Sequence, residues 1–176
     1  MAKRMFDIGI GKRAPGIVNA IIEIPKGSKN KYELDKKTGL LKLDRVLNAP
    51  FHYATEYGII PETLGEDNDP LDVLVLIDQP TFPGCLIEVR PIAMLETIDG
   101  RLRDVKILSV PIGDVFFGKK RDLKDCDKAL LDEIALFFQE YKRLQKGNLR
   151  VIGWRSAGKA RKEILKGMKL FNKTKE

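Results

Sequence analysis

The first regular pattern is IVNAIIEIP, 17–25, a β-branched apolar run that reads as a strand with one charge, Glu23, inside it. PKGSKN, 25–30, has the composition of a turn. In KYELD, 31–35, Lys31, Glu33 and Asp35 alternate with Tyr32 and Leu34, so the charges share one strand face. KKTGLLKLDRV, 36–46, predicts a turn and another strand. Residues 47–65 contain Pro50, Gly58, Pro61 and Gly65 and predict loop with a short extended piece. VLVLI, 73–77, reads as a buried strand, and QPTFPG, 79–84, as a loop. LIEVRPIAMLET, 86–97, is expected to pair with DVKILSVP, 104–111, and the intervening Asp99-Gly100 suits a tight hairpin turn.

Helical spacing comes late. In 126–147, CDKALLDEIALFFQEYKRLQKG, Leu130, Ile134, Phe137, Phe138 and Tyr141 fall on one face, and Gly147 suits a C-cap. A short strand, LRVIGW at 149–154, precedes a second helix that Ser156 can N-cap. Its apolar stripe is Ala157, Ala160, Ile164, Leu165 and Met168. About six strands and then two helices make an α+β chain. The expected architecture is a small closed β-barrel with two C-terminal helices packed outside.

The 176 residues carry no repeat and no linker, so one domain, 1–176, is expected. Hydrophobic content of 43% and charged content of 32% exclude a disordered chain. No stretch is long and apolar enough to span a membrane, so no membrane partner is expected. The opening MAKRMFDIGIGKR lacks the apolar core of a signal peptide, and Cys85 and Cys126 stand without metal-site spacing. The expectation is a cytoplasmic protein with two free thiols. A net charge of +7 raises nucleic acid as a partner. The excess is local, however. Residues 141–176 hold twelve Lys/Arg against two Asp/Glu, whereas residues 1–140 hold twenty against twenty-three. The strands also lack aromatics interleaved with Lys/Arg, so no nucleic acid is expected.

The mildly acidic part contains EDNDPLDVLVLI, 66–77, with Asp67, Asp69 and Asp72 crowded before an apolar run. A polar surface turn is the plain reading. A calcium EF-loop is excluded, because Asp72 stands at the position that needs Gly and Leu71 where an oxygen ligand is needed. In an extended segment Asp67 and Asp69 would point the same way, and Pro70 would swing Asp72 round to join them. Such oxygen ligands suit a hard cation such as Mg²⁺. The hairpin brings Asp99 and Asp104 to one end of the sheet, with Lys106 two residues on and on the same face. Five carboxylates from two places point to more than one ion. Lys31, Arg45, Lys106 and Lys142, with Tyr53, Tyr57 and Tyr141, then suit a metal-bound, highly charged phosphate substrate.

D-N-D-P-L-D, 67–72, resembles the D-x-D-P-x-D signature of the soluble family I inorganic pyrophosphatases, prokaryotic type. The likeness runs over about residues 15–168 and includes VNAIIEIPKGSKNKYELD at 18–35, LDRVL at 43–47, YGIIPETL at 57–64, PGCLIEVRPIAML at 83–95, FFQEYKRLQKG at 137–147 and GW at 153–154. The resemblance implies an OB-like barrel and Mg²⁺-dependent hydrolysis of inorganic pyrophosphate to two phosphates, with several ions per site. It implies Asp67, Asp72 and Asp104 as ligands of the activating ion pair, and Asp99 and Asp104 as ligands of a further ion. Asp69 aligns with the base, and Tyr57 with the tyrosine beside the nucleophile. Glu23 and Glu33 align with acidic cavity residues, Glu23 on the metal side and Glu33 on the substrate side. Lys31, Arg45, Lys106, Tyr141 and Lys142 align with phosphate-binding groups, and Tyr53 with a tyrosine lining the site. Direct attack by water, without a phosphoenzyme, is expected. Relatives are usually hexamers, which implies a homohexamer.

Some positions depart from the family pattern. The turn D-G-R-L-R-D, 99–104, displaces the usual Gly and puts Arg103 in an acidic place. That arginine would either weaken the outer metal site or add a phosphate contact. Ala54 and Glu56 replace a common Pro and Asn, which implies a different loop shape. Leu136 and Glu140 stand where relatives often carry His at subunit contacts. His52 reads as a loop residue. A binder of nucleic acid, a catalytically silent relative and a hydrolase of nucleoside triphosphates are the alternatives.

Overall fold

A computed structural model describes residues 8–35, 37–145, 147 and 149–175. Residues 1–7 of the segment read for a leader lie outside the described residues, as do Lys36 and Lys146 of the expected strand and helix. Eight strands are described: β1 (Val18–Ile24), β2 (Asn30–Leu34), β3 (Leu41–Val46), β4 (Glu56–Ile60), β5 (Leu71–Val75), β6 (Leu86–Asp99), β7 (Leu102–Pro111) and β8 (Leu149–Ser156). The helices are α1 (Lys128–Glu140) and α2 (Ala157–Lys173). The strand count exceeds the expected six because the loop-rich stretch before residue 65 folds β4 and the late strand between the helices is full length.

The sheet runs β1-β4-β5-β7-β6-β8, and β1 also pairs with β6. That last pairing closes β1, β4, β5, β7 and β6 into a ring, the closed sheet expected from the short strands, with β8 added outside β6. Closure removes the free edges of an open sheet. It also needs β1 and β4 to approach very closely. A Cβ on Gly58 would lie 2.0 Å from the Ile21 carbonyl oxygen, so only glycine fits there. The β2–β3 hairpin forms a separate two-stranded sheet beside the ring.

Strand alternation divides most of the apolar residues between two large cores, with Ile21, Leu34 and Ile59 in a small third cluster. Leu71, Val73 and Val75 of β5 join Val18, Ala20 and Ile22 of β1, Ile60 of β4, Met94 of β6 and Val105 and Ile107 of β7, so every ring strand contributes to the interior. Ala160 and Ile164 of α2 complete this cluster. The opposite residues, including Leu74, Leu95 and Leu108, pack under Leu131, Ile134, Phe137 and Phe138 of α1.

The helices differ in detail from the sequence expectation. Helix α1 stops at Glu140 rather than reaching 147, and Tyr141 takes the C-cap position. There its ring stacks on Phe137, with centroids 5.0 Å apart. The chain then folds back through a short 3-10 turn at Arg143–Gln145. Gly147 is therefore not the cap. A Cβ there would come within 2.8 Å of the Lys142 Cβ, so glycine permits the fold-back. Ser156 does occupy the N-cap of α2, but its side chain makes no capping hydrogen bond. Leu165 falls off the stripe and is exposed, and Gly167 takes the buried place instead. Leu64 N donates to the Gly167 carbonyl at 3.1 Å, tying α2 to the segment that leads into Asp67.

Candidate active site

The acidic segment is the polar turn of the plain reading rather than an extended piece. Asn68 has φ of 64°, and Asp69 N donates to Asp67 Oδ1 at 3.0 Å. Gly65 N closes the loop on the Asp69 carbonyl at 2.8 Å. The left-handed residue reverses the chain where extended backbone would carry it past β5. Both carboxylates nevertheless line the same cavity. Asp72, the second residue of β5, lines that cavity too. It lies within β5, opposite Ile59 of β4 and beside Lys106 of the parallel β7.

That register sets the centre of the site. Asp72, Asp104 and Lys106 share the α1-side face, because their strand neighbours Val73, Val105 and Ile107 point into the ring. Lys106 is 2% exposed. Its Nζ donates to Asp72 Oδ2 at 2.6 Å and to both Asp104 oxygens at 2.9 Å. It also lies 5.3 Å from the Phe138 ring centroid and 5.8 Å from that of Tyr57. Burial alone would lower the ammonium's pKa, but Asp72 and Asp104 outweigh it and raise the pKa above the usual lysine value. Lys106 is therefore a fixed positive charge. Burial raises the Asp104 carboxyl, and Lys106 offsets part of that rise. Among the described residues, no three acidic, His or Cys side chains are drawn together closely enough to hold an ion. The lysine ammonium stands between two of the expected ligands instead.

The site opens into a cavity of about 550 Å³. Of the expected residues, Glu23, Lys31, Glu33, Tyr57, Asp67, Asp69, Asp72, Asp99 and Lys142 line it. Lys142 follows the end of α1, where the helix dipole favours a cation, and its Nζ donates to Asp99 Oδ2. Lys31 pairs with Glu33 and lies 3.2 Å from Asp44 Oδ2. Arg45, opposite Lys31 in the β2–β3 register, pairs with the same Asp44 carboxylate. Burial would raise the Asp44 carboxyl, but Lys31 and Arg45 hold it below the usual range. The Arg45 Nε is buried without a partner. A buried unmade donor beside a lysine suits an incoming oxyanion.

Glu23 is buried on β1 and accepts from Leu34 N at 2.7 Å. Burial pushes its carboxyl up to about 7. The Leu34 hydrogen bond lowers it, Asp72 raises it, Lys31 lowers it and Glu33 raises it. Tyr57 is raised well above the usual phenol value, chiefly by burial and then by Asp72 and Asp104. It stays protonated. Tyr53 and Tyr141 stand one layer back. Tyr53 packs edge-on against Tyr57 with centroids 5.5 Å apart, and both Tyr53 and Tyr141 are buried against Phe137.

Asp44 escaped the sequence reading, and Glu56 and Arg103 make contacts it did not assign. Asp44 holds Lys31 and Arg45, and only the hairpin register reveals it. Glu56 is completely buried. Its Oε1 accepts from Lys26 N at 3.3 Å and Thr81 N at 2.8 Å, and its Oε2 from Thr81 Oγ1 at 2.9 Å. It staples two loops. Arg103 neither lines the main cavity nor faces Lys106. It lies on the other face of β7, binds Glu96 and Glu163, and lines a small second cavity with Asp67, Asp72 and Asp104. His52 is exposed in its loop, as expected, with Nδ1 3.0 Å from the Pro50 carbonyl.

Residues 20–172 match the family described as inorganic pyrophosphatase. The chain belongs to the inorganic pyrophosphatase family. It is therefore an enzyme, an inorganic diphosphatase by class. The inorganic pyrophosphatase of Synechocystis is 52% identical over 140 residues, covering 80% of this chain and 83% of that protein. That of Geobacillus stearothermophilus is 45% identical over 159 residues, covering 90% and 96%. The crystal structure of inorganic pyrophosphatase from Thermus thermophilus superposes with a TM-score of 0.93 at 37% identity, covering 97% of this chain and 99% of that one. The ring of strands with two C-terminal helices is thus the family's fold.

Proposed function

We propose that this chain hydrolyses inorganic pyrophosphate to two phosphates by direct attack of water, with Mg²⁺ as cofactor. The observation that carries the reading is convergence. Carboxylates from the Asp67–Asp72 segment and the β6–β7 hairpin meet cations from β2, β7 and the end of α1 around one cavity. The donor set fits the metal: aspartate oxygens suit Mg²⁺, and a cation already sits between Asp72 and Asp104 as the Lys106 ammonium.

Asp67, Asp72, Asp99 and Asp104 would hold several Mg²⁺ ions, with Glu23 beside them. The ions supply neutralisation of the pyrophosphate charge and a more acidic water. Asp69 orients that water and accepts its proton. Tyr57, held protonated, donates a hydrogen bond beside the nucleophile. Lys31, Arg45 and Lys142 take the phosphate oxygens, with Glu33 and Asp44 fixing Lys31 in place. Tyr141 and Tyr53 back that wall. Lys106 would stabilise charge on the leaving phosphate.

The whole chain, 1–176, acts as one domain in this reading, in the cytoplasm and as a homohexamer. No described helix is long and apolar enough to cross a membrane. Phe82, Val115, Phe116 and Leu136 are exposed apolar side chains of the kind a subunit contact covers.

The test is phosphate release from pyrophosphate with Mg²⁺, repeated with EDTA and with ATP as substrate. Rapid release that EDTA abolishes, with ATP nearly inert, is expected. Asp69→Asn should reduce turnover by about 100-fold or more in a folded protein. No release from folded, Mg²⁺-loaded protein would overturn the proposal.

A further inference from the structure

Arg103 stands behind the carboxylates, on the face of β7 turned away from Lys106. Its Nε donates to Glu96 Oε1 of β6 at 2.7 Å, and its Nη1 lies 2.9 Å from Glu163 Oε1 of α2. The Glu96 pairing is diagonal, since Ile98 is the residue opposite Arg103 in the β6–β7 register. These ion pairs are sheltered: the side chains of Arg103, Glu96 and Glu163 are 29%, 20% and 15% exposed. The chain of charges continues both ways. Arg155 of β8 lies 2.8 Å from the other Glu96 oxygen. Lys166 of α2 lies 3.7 Å from Glu163 and 3.1 Å from Glu66, the residue before Asp67. A cavity of about 20 Å³ sits where these parts meet, and Arg103, Glu163, Asp67, Asp72 and Asp104 are among its lining residues.

We propose that Arg103 is a positioning residue for the metal site: by forking between Glu96 and Glu163 it fixes the Asp99–Asp104 hairpin against α2 and so sets its distance from the Asp67–Asp72 arm. The inference rests on the metal reading above. Helix α2 is the common reference for both arms. Gly167 packs so tightly that a Cβ would come within 2.9 Å of Leu71 Cδ1, and its carbonyl receives Leu64 N. Arg103 docks the hairpin on the same helix one turn earlier, at Glu163. A planar guanidinium suits this task, because two of its edges bind two carboxylates at once, whereas a lysine ammonium is a single point. Its charge, surrounded by Glu96 and Glu163, projects little field onto Asp104.

Geometry and charge predict opposite signs, which makes the proposal testable. A purely electrostatic Arg103 repels cations, so Arg103→Glu would tighten metal binding. A positioning Arg103 means that Arg103→Glu drives the hairpin away from Glu96 and Glu163 and weakens binding. The experiment is equilibrium titration of the metal-free full chain with Mn²⁺, with thermal unfolding of each variant as the check on folding. Expected is about a 10-fold rise in Mn²⁺ Kd for Arg103→Glu, a rise of about 3-fold for Arg103→Lys, and recovery of most of the loss when Glu163→Arg is added to Arg103→Glu. Mn²⁺ binding by Arg103→Glu that equals or exceeds that of the unaltered chain overturns the proposal. If Arg103→Glu fails to fold, Arg103→Gln decides in the same way, since loss of a cation alone cannot weaken metal binding. Failure of the unaltered chain to bind Mn²⁺ overturns the metal reading and this inference together, and is distinguished by needing no variant.

Discussion

Glu23 makes the metal-free protein's stability depend on pH in an unusual direction. Most acidic residues in a folded protein gain cationic partners and titrate low, so stability falls on acidification. Glu23 is buried on β1, and Asp72 and Glu33 add negative charge nearby, with Lys31 and the Leu34 amide as the opposing groups. Its carboxyl moves from 4.5 to about 7. A raised folded-state value means that the protonated form is favoured by folding. The contribution is complete below the unfolded value of 4.5 and disappears as pH rises through about 7. A rise of roughly 2.5 units corresponds to about 3 kcal/mol. The assay is urea unfolding in EDTA from about pH 4.5 to 8, for the unaltered chain and Glu23→Gln. Asp44 and Glu96, held low by their cations, have the opposite slope, but theirs falls at the acid edge of this window and below it. The difference between the two proteins cancels them. That difference should shift by about 3 kcal/mol against the unaltered chain as pH rises, and added Mg²⁺ should flatten it by stabilising the carboxylate. A difference that is constant with pH, or that slopes the other way, would refute the reasoning.

Other expectations follow from the same geometry. Glu56→Ala leaves the amides of Lys26 and Thr81 and the Thr81 hydroxyl without their acceptor; a loss of about 3 kcal/mol should appear in denaturant unfolding. Lys106→Met leaves Asp72 and Asp104 facing each other, so the metal-free protein should lose about 3–5 kcal/mol, most of it restored by Mg²⁺, while turnover stays low. In the proposed homohexamer, Leu136→Asp, on the exposed side of α1, should lower the mass measured by light scattering below that of six chains and leave the unfolding profile of the separated chain intact. An unchanged mass would remove Leu136 from the subunit contact.

What the sequence revealed follows the range of the forces involved. The β6–β7 hairpin is local: its two strands pair as expected, although Asp99 opposite Leu102 makes Gly100 and Arg101 the turn and an irregularity between Pro91 and Ala93 shifts the register, and Gly100 takes the positive φ of 62° that a tight turn needs. The acid and base residues were legible as types, since charge interrupting apolar runs is costly without a purpose. Their arrangement was less legible. The Asp67–Asp69 turn depends on Asn68 adopting a left-handed conformation, which several residue types tolerate. The ring depends on β1 pairing with both β4 and β6, and nothing in 17–25 names those partners.

Arg103 shows the limit most sharply. Its neighbour Asp104 and its place in a metal-binding turn invited a reading as either a disruptor of the metal or a ligand of phosphate. Period two already put its side chain on the opposite face from Asp104 once the strand is granted. What occupies that face is set by α2, sixty residues along, through Glu163. A charge inversion that looks harmful beside the metal ligands is neutralised by carboxylates from behind. The position therefore need not conserve its sign to conserve its purpose; it needs a partner on the helix that backs both acidic arms. In this chain the partner is an acid, and so the residue in the turn is a base.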